Sequence, residues 1–215
     1  FDINSPEAFD EIFFNNNEKF IKNELVNFLE LIIISKRKRK YLSKNNLNYK
    51  RLNLIKKILP NSIFLIPIRE PLNHANSLLN QHHNFIKLQK KNDFIRKYMN
   101  YLGHHEFGLD HKAWNNPINF DNLLDINYWL EQWCLFNRNI LNQYSSLDNC
   151  HFIIYEELTN SSYIKKLVNK INIDNINDID LNIFRNCNKK QINIGVSNSL
   201  YDQALKIYKE FSLNL

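Results

Sequence analysis

Residues 63–77 read Ile63-Phe64-Leu65-Ile66-Pro67-Ile68-Arg69-Glu70-Pro71-Leu72-Asn73-His74-Ala75-Asn76-Ser77, and this passage decides the fold. Its first part, residues 62–68, is almost wholly apolar and rich in branched side chains, the pattern of a strand buried on both faces of a parallel sheet. Arg69-Glu70-Pro71 then switches the chain into a helix, since proline is pre-shaped for a first helical turn. A guanidinium at the carboxyl edge of such a strand, above a helix N-terminus, is placed to grip a phosphate through two charge-assisted hydrogen bonds. Ser77 falls about two turns into that helix, where its hydroxyl is available for a further contact. The plainer alternative pairs Arg69 with Glu70 or Glu157 and leaves Ser77 as a small packing residue.

Working outward, Phe20, Ile21, Leu25, Phe28, Leu29 and Ile32 recur at three- and four-residue steps and predict a helix over 18–35. Before it, Ser5-Pro6-Glu7 has the cap, proline and acid of another helix start. After it comes Lys36-Arg37-Lys38-Arg39-Lys40, a basic run that suits a solvated helix C-terminus, with an anion or nucleic-acid patch as the alternative. Tyr41-Leu42-Ser43-Lys44 reads as a short strand, and Leu52, Leu54, Ile55 and Ile58 as a helix that stops before Pro60. Downstream, residues 101–122 hold two glycines, histidines and Pro117 without a period, and so predict a loop or lid. Residues 124–144 return to helix, with Trp129, Trp133 and Phe136 on one face. Residues 151–155 predict another buried strand, Thr159-Asn160-Ser161 a turn and cap, and residues 163–171, 179–187 and 199–211 three closing helices. Strands alternating with helices make an α/β chain with a parallel sheet.

The composition narrows the function. With 215 residues, 44% of them hydrophobic, the chain has enough apolar surface for one folded domain, and disorder is disfavoured. Its 3 glycines, Gly103, Gly108 and Gly195, are too dispersed to build a glycine-rich nucleotide loop. The net charge of +6 favours an anionic ligand without naming one. Cys134, Cys150 and Cys187 form no CxxC pair and read as small hydrophobes in a reducing, cytoplasmic setting. No apolar run reaches the ~20 residues of a membrane span, and no signal peptide is legible at Phe1.

The strand-Arg-x-Pro-x5-Ser pattern resembles the 3'-phosphate-binding motif of sulfotransferases that use 3'-phosphoadenosine 5'-phosphosulfate (PAPS). Tyr41-Leu42-Ser43-Lys44-Asn45 resembles that family's strand ending in a lysine, Trp129 and Trp133 its tryptophan helix, and Phe152-Ile153-Ile154-Tyr155-Glu156-Glu157-Leu158 its strand ending in Tyr-Glu-Asp-Leu. The four pieces occur in the family's order over about residues 40–172, closest to the bacterial members. The resemblance implies a single domain, residues 1–215, with a P-loop-like three-layer parallel sheet flanked by helices. A helical segment, 1–39, would precede the sheet core at about 40–172, and a second, 173–215, would follow it. It implies that Arg69 and Ser77 bind the 3'-phosphate, that Tyr155 lies near the adenine, and that Lys189 and Lys190 add basic contacts. Lys44 would neutralise the sulfuryl oxygens as the S–O bond breaks, which stabilises the transition state more than the ground state. PAPS would be the sulfuryl donor without any metal, and the acceptor a hydroxyl or amine of a small molecule, glycan or peptide.

Two departures qualify this. The family's first strand and its Ser-Gly-Thr-type loop, which binds the 5'-phosphosulfate, have no counterpart here. The chain therefore reads as an N-terminally truncated form with weak or absent turnover. Asn46 stands where many members have a histidine base, so the base is sought in His104, His105, Glu106 and His111, in the loop where the family builds its acceptor site. A zinc site there is disfavoured because no HExxH helix is present. His82-His83 fits packing better than an acceptor cleft, Trp129 and Trp133 fit a core, and Trp114 fits a lid. The competing functions are a non-catalytic module that binds an anion or a protein, and a nucleic-acid binder using residues 36–40. The second lacks any accompanying stacking or groove-reading motif.

Overall fold

The computed structural model describes residues 18–44, 46–172 and 195–213. The chain divides into two compact units, residues 1–62 with 98–104, and residues 63–97 with 105–215.

In the first unit, helix α1 (Glu18–Ser35) and helix α2 (Leu52–Ile58) supply the apolar contacts. Leu25 and Ile58 are buried together, with Val26, Leu29, Leu54 and Leu59 packed around them. Helix α1 ends where Arg37 takes a positive φ of 51°, and the basic run that follows is exposed along its whole length. The strand expected at Tyr41-Leu42-Ser43-Lys44 is not formed. This segment is irregular and exposed, Leu42 at 89%, and no strand of this unit is present among the described residues to pair with it. A single 3-10 turn, Asn46–Lys50, leads into α2.

In the second unit, strand β1 (Phe64–Ile68) runs into helix α3 (Pro71–Lys91), and helix α4 (Asp93–Tyr101) follows, residues 93–97 counted in this unit and 98–101 in the first. Glu70 caps α3 by accepting from the Asn73 N–H, and Pro71 occupies the first turn. Helix α5 (Ile126–Tyr144) is capped by Asp125, whose side chain accepts from the Asn127 N–H. Strand β2 (Cys150–Ile154), helix α6 (Ser161–Lys170) and helix α7 (Asn198–Leu213) complete the described chain. Strands β1 and β2 are parallel, with Phe64 opposite Cys150 and Ile68 opposite Ile154. The fold is therefore mixed α/β and mostly helical, with two parallel strands among the described residues.

Strand β2 is buried on both faces, as its apolar run predicts. Strand β1 is not, and this corrects the reading of residues 62–68: Ile63 is 44% and Leu65 39% exposed. The exposed positions 63, 65 and 67 alternate with buried Phe64 and Ile68, so one face of β1 turns to the core and the other is open. The core lies instead on β2 and the helices. Helix α5 packs against α3 and α7, and α7 covers β2 with Phe211 edge-on to Phe152 at 4.8 Å. Trp129 and Trp133 are buried within α5, as their spacing predicts. Two links fix α7 to α5. The Asn127 side chain donates to the Gly195 carbonyl and accepts from the Ser197 N–H, and Arg138 forms a bidentate pair with Glu210 at 2.6 and 2.8 Å.

Candidate functional site

The parallel register sets the site. With Ile68 opposite Ile154, the next residues, Arg69 and Tyr155, leave neighbouring strands side by side. The Arg69 guanidinium carbon lies 5.6 Å from the centroid of the Tyr155 ring, an electrostatic attraction to the ring face. The N-terminus of α3 begins two residues after Arg69, so the partial positive charge of the helix end adds to that of the guanidinium.

The acids expected to quench Arg69 are engaged elsewhere. Glu70 uses one carboxylate oxygen to cap α3 and the other to accept from the Tyr201 hydroxyl at 3.0 Å. Glu156 accepts from the Glu70 N–H at 2.9 Å and from the Tyr208 hydroxyl at 2.7 Å. Glu157 accepts from the Asn160 side chain at 3.1 Å. Among the described residues Arg69 makes no ion pair, and its buried Nε has no hydrogen-bond partner. His74, one turn into α3, is in the same condition at its buried Nδ1. Burial, followed by the Arg69 charge, pushes the His74 pKa down to about 4 against a partial offset from Glu156. The ring is neutral at pH 7. The Tyr208 and Tyr201 hydroxyls are held protonated by burial and by the carboxylates they face, Tyr201 being pushed up to about 12.

Of the residues singled out from the sequence, the structure brings Arg69 and Tyr155 together. Ser77 lies exposed on α3, with no hydrogen bond or ring contact to this cluster among the described residues. The stretch of α3 around it, at Asn76 and Leu79, lines an open cleft of about 360 Å³ shared with Leu124, Asp125, Ile126 and Gly195. Lys44 is exposed in the first unit. Lys189 and Lys190 lie outside the described residues, as do Cys187 and the helices expected at the N-terminus and at 179–187.

The histidine loop is built for packing. His104 completes the cap of α4: its N–H reaches the Met99 carbonyl and the Gly103 N–H the Asn100 carbonyl, with Gly103 at φ 72°. The His105 carbonyl accepts from the Lys112 N–H, while its buried Nδ1 has no partner among the described residues. His111 donates Nδ1–H to the Glu106 carbonyl, so its Nε2 accepts from the Tyr128 hydroxyl, both at 2.7 Å. His82, 1% exposed, accepts at Nδ1 from the Gly108 N–H. The rings of His82, His111, Phe107, Trp114 and Tyr128 all lie within 6.2 Å of Trp129. Burial lowers both imidazoles, His82 to about 4. His111, with both nitrogens engaged, is a strut between loop and helix.

Three further polar residues hold this loop and were missed in the sequence. Buried Glu131 accepts from the Ile118 and Asn119 N–H groups, Gln132 makes two hydrogen bonds to the Asn115 backbone, and Gln89 accepts from the Leu109 N–H. Among the described residues no group of three His, Cys, Asp or Glu side chains is placed to hold a metal, and no helix is long and apolar enough to cross a membrane.

Compared with family models, with curated proteins and with solved structures, the chain matches none. The site must therefore be read from its own chemistry. A guanidinium without a carboxylate partner among the described residues, beside an exposed aromatic face and a helix N-terminus, can receive an anion and stack a planar group. Neither described thiol is poised as a nucleophile, since burial pushes Cys134 up to about 12 and Cys150 to about 11.

Proposed function

We propose that the chain is a PAPS-dependent sulfotransferase of the P-loop-like, three-layer α/β fold. It transfers a sulfuryl group to a hydroxyl or amine on a small molecule, glycan or peptide in the cytoplasm. The observation that carries the reading is the Arg69 guanidinium, set at the end of a parallel strand beside Tyr155 with no acid partner among the described residues. In this reading Arg69 and Ser77 take the 3'-phosphate of the nucleotide and Tyr155 lies against the adenine, with Lys189 and Lys190 adding positive charge. PAPS supplies an activated sulfuryl group. Lys44, by its resemblance to the family's lysine, neutralises the charge that grows on the departing oxygen. The acceptor proton goes to the loop that carries His104, His105 and Glu106, since Asn46 cannot take it.

A second reading, a binding module without transfer, is favoured by that asparagine and by the full engagement of His111. Both readings require Arg69. Calorimetric titration of adenosine 3',5'-bisphosphate into the wild-type chain and into Arg69→Ala tests them together. Loss of two charge-assisted hydrogen bonds weakens binding on the order of 100-fold. Equal affinity in the two proteins overturns the assignment. Sulfuryl transfer to an acceptor panel then separates enzyme from module.

A further inference from the structure

Resting on the reading of Arg69 as the anion-binding group, we propose a role for two tyrosines of α7. Tyr201 and Tyr208 are positioning residues that hold Glu70 and Glu156 off the guanidinium and so leave it open to the ligand's phosphate. Each of the four carboxylate oxygens has its own donor. Glu70 takes the Asn73 N–H at 2.7 Å and the Tyr201 hydroxyl at 3.0 Å, and Glu156 takes the Glu70 N–H at 2.9 Å and the Tyr208 hydroxyl at 2.7 Å. Glu156 thus rests on the peptide N–H that immediately follows Arg69, and still no ion pair forms between them.

That arrangement is not the default for an acid beside a partly buried arginine. A carboxylate left short of a donor takes the nearest cation, and a guanidinium so occupied no longer offers its fork to a phosphate. Short hydrogen bonds from phenol to carboxylate are charge-assisted, strong enough to fix the acid's orientation while adding no charge of their own. The tyrosines are delivered by a helix that is itself anchored to α5, through Asn127 at its start and the Arg138–Glu210 pair near its end. Both hydroxyls come from one helix, seven residues apart and two turns along the same face. The other groups about Glu156 do not replace them, because His74 is neutral and Glu157 repels.

The test compares wild type, Tyr208→Phe and the double variant Tyr208→Phe/Glu156→Gln. Each is titrated calorimetrically with adenosine 3',5'-bisphosphate, and the Arg69 Nε–H resonance is followed by 15N NMR. Tyr208→Phe weakens the nucleotide about tenfold and shifts the Arg69 resonance as an ion pair forms. The double variant restores both, since the amide keeps an acceptor for the Glu70 N–H and removes the competing charge. Simple loss of packing would not be rescued in this way. Wild-type affinity in Tyr208→Phe, or no recovery in the double variant, overturns the proposal. If no variant binds the bisphosphate, the ligand reading falls and the resonance decides: movement in Tyr208→Phe with return in the double variant supports the clamp, and a fixed resonance overturns it. Tyr201→Phe with Glu70→Gln repeats the comparison at the second pair should Tyr208→Phe fail to fold.

Discussion

Acidification should unlock the second unit before it reaches the carboxylate range, with His74 supplying one of the two largest contributions and His82 the other. Folded, the ring is 1% exposed and accepts from the Gly108 N–H, and its pKa falls from 6.5 to about 4. The unfolded chain therefore binds a proton that the folded one refuses. Stability is full above pH 6.5, declines as the pH falls toward 4, and levels off below that. A pKa drop from 6.5 to about 4 corresponds to a loss of about 3 kcal/mol for this one group. Across the window the slope is about 1.4 kcal/mol per pH unit. His74, lowered to about 4, and His111, lowered as well, act in the same direction. Urea unfolding between pH 7.5 and 4.5, roughly the span the linkage covers, measures the total. Repeating it with His82→Asn isolates the term. The asparagine oxygen preserves an acceptor for the Gly108 N–H but does not titrate, so the variant is less stable at pH 7.5 and flatter by about one proton across the range. Identical slopes in the two proteins would refute the argument.

Three other outcomes follow from the geometry. Gly108 sits at φ 90°, and a Cβ there would clash with the Gln89 side-chain amide that accepts from the Leu109 N–H, so Gly108→Ala should lose about 2 kcal/mol in urea unfolding. Glu131→Ala leaves the Ile118 and Asn119 N–H groups without their acceptor and should cost about 2–3 kcal/mol, with faster amide exchange confined to residues 115–120. Lys44→Ala, exposed and free of packing duties, should keep its melting temperature. On the proposed function, its transfer rate should fall on the order of 100-fold while nucleotide affinity changes little.

The sequence was legible where local signals act alone. The bounds of α1 and α5 follow from periodic apolar residues, and α3 and α6 from their caps at Glu70-Pro71 and Asn160. Arg69 and Tyr155 each follow a strand read from the sequence, but that the two strands are neighbours, which sets the side chains side by side, is given only by the fold. Strand β1 reads as a two-sided core strand because its apolar, branched residues run without alternation, whereas which of its faces is covered depends on what the rest of the fold packs against it. Tyr41-Leu42-Ser43-Lys44 has strand propensity, but among the described residues no strand of its unit lies beside it, and propensity alone does not make a strand. His111 looked like a base because its chemistry permits it, whereas its role is fixed by Tyr128, seventeen residues away. Glu131, Tyr201 and Tyr208 had no visible signal. Their partners are loop N–H groups and acids that only the fold brings near, across as many as 131 residues.

The central claim is that Arg69 is kept free for a phosphate on the ribose. Side-by-side calorimetric titration of the wild-type chain with adenosine 3',5'-bisphosphate and with adenosine 5'-monophosphate tests it most directly. The account predicts tighter binding of the bisphosphate by on the order of 100-fold, a preference abolished in Arg69→Ala. Equal affinity for the two nucleotides, or a preference that survives the substitution, would contradict it.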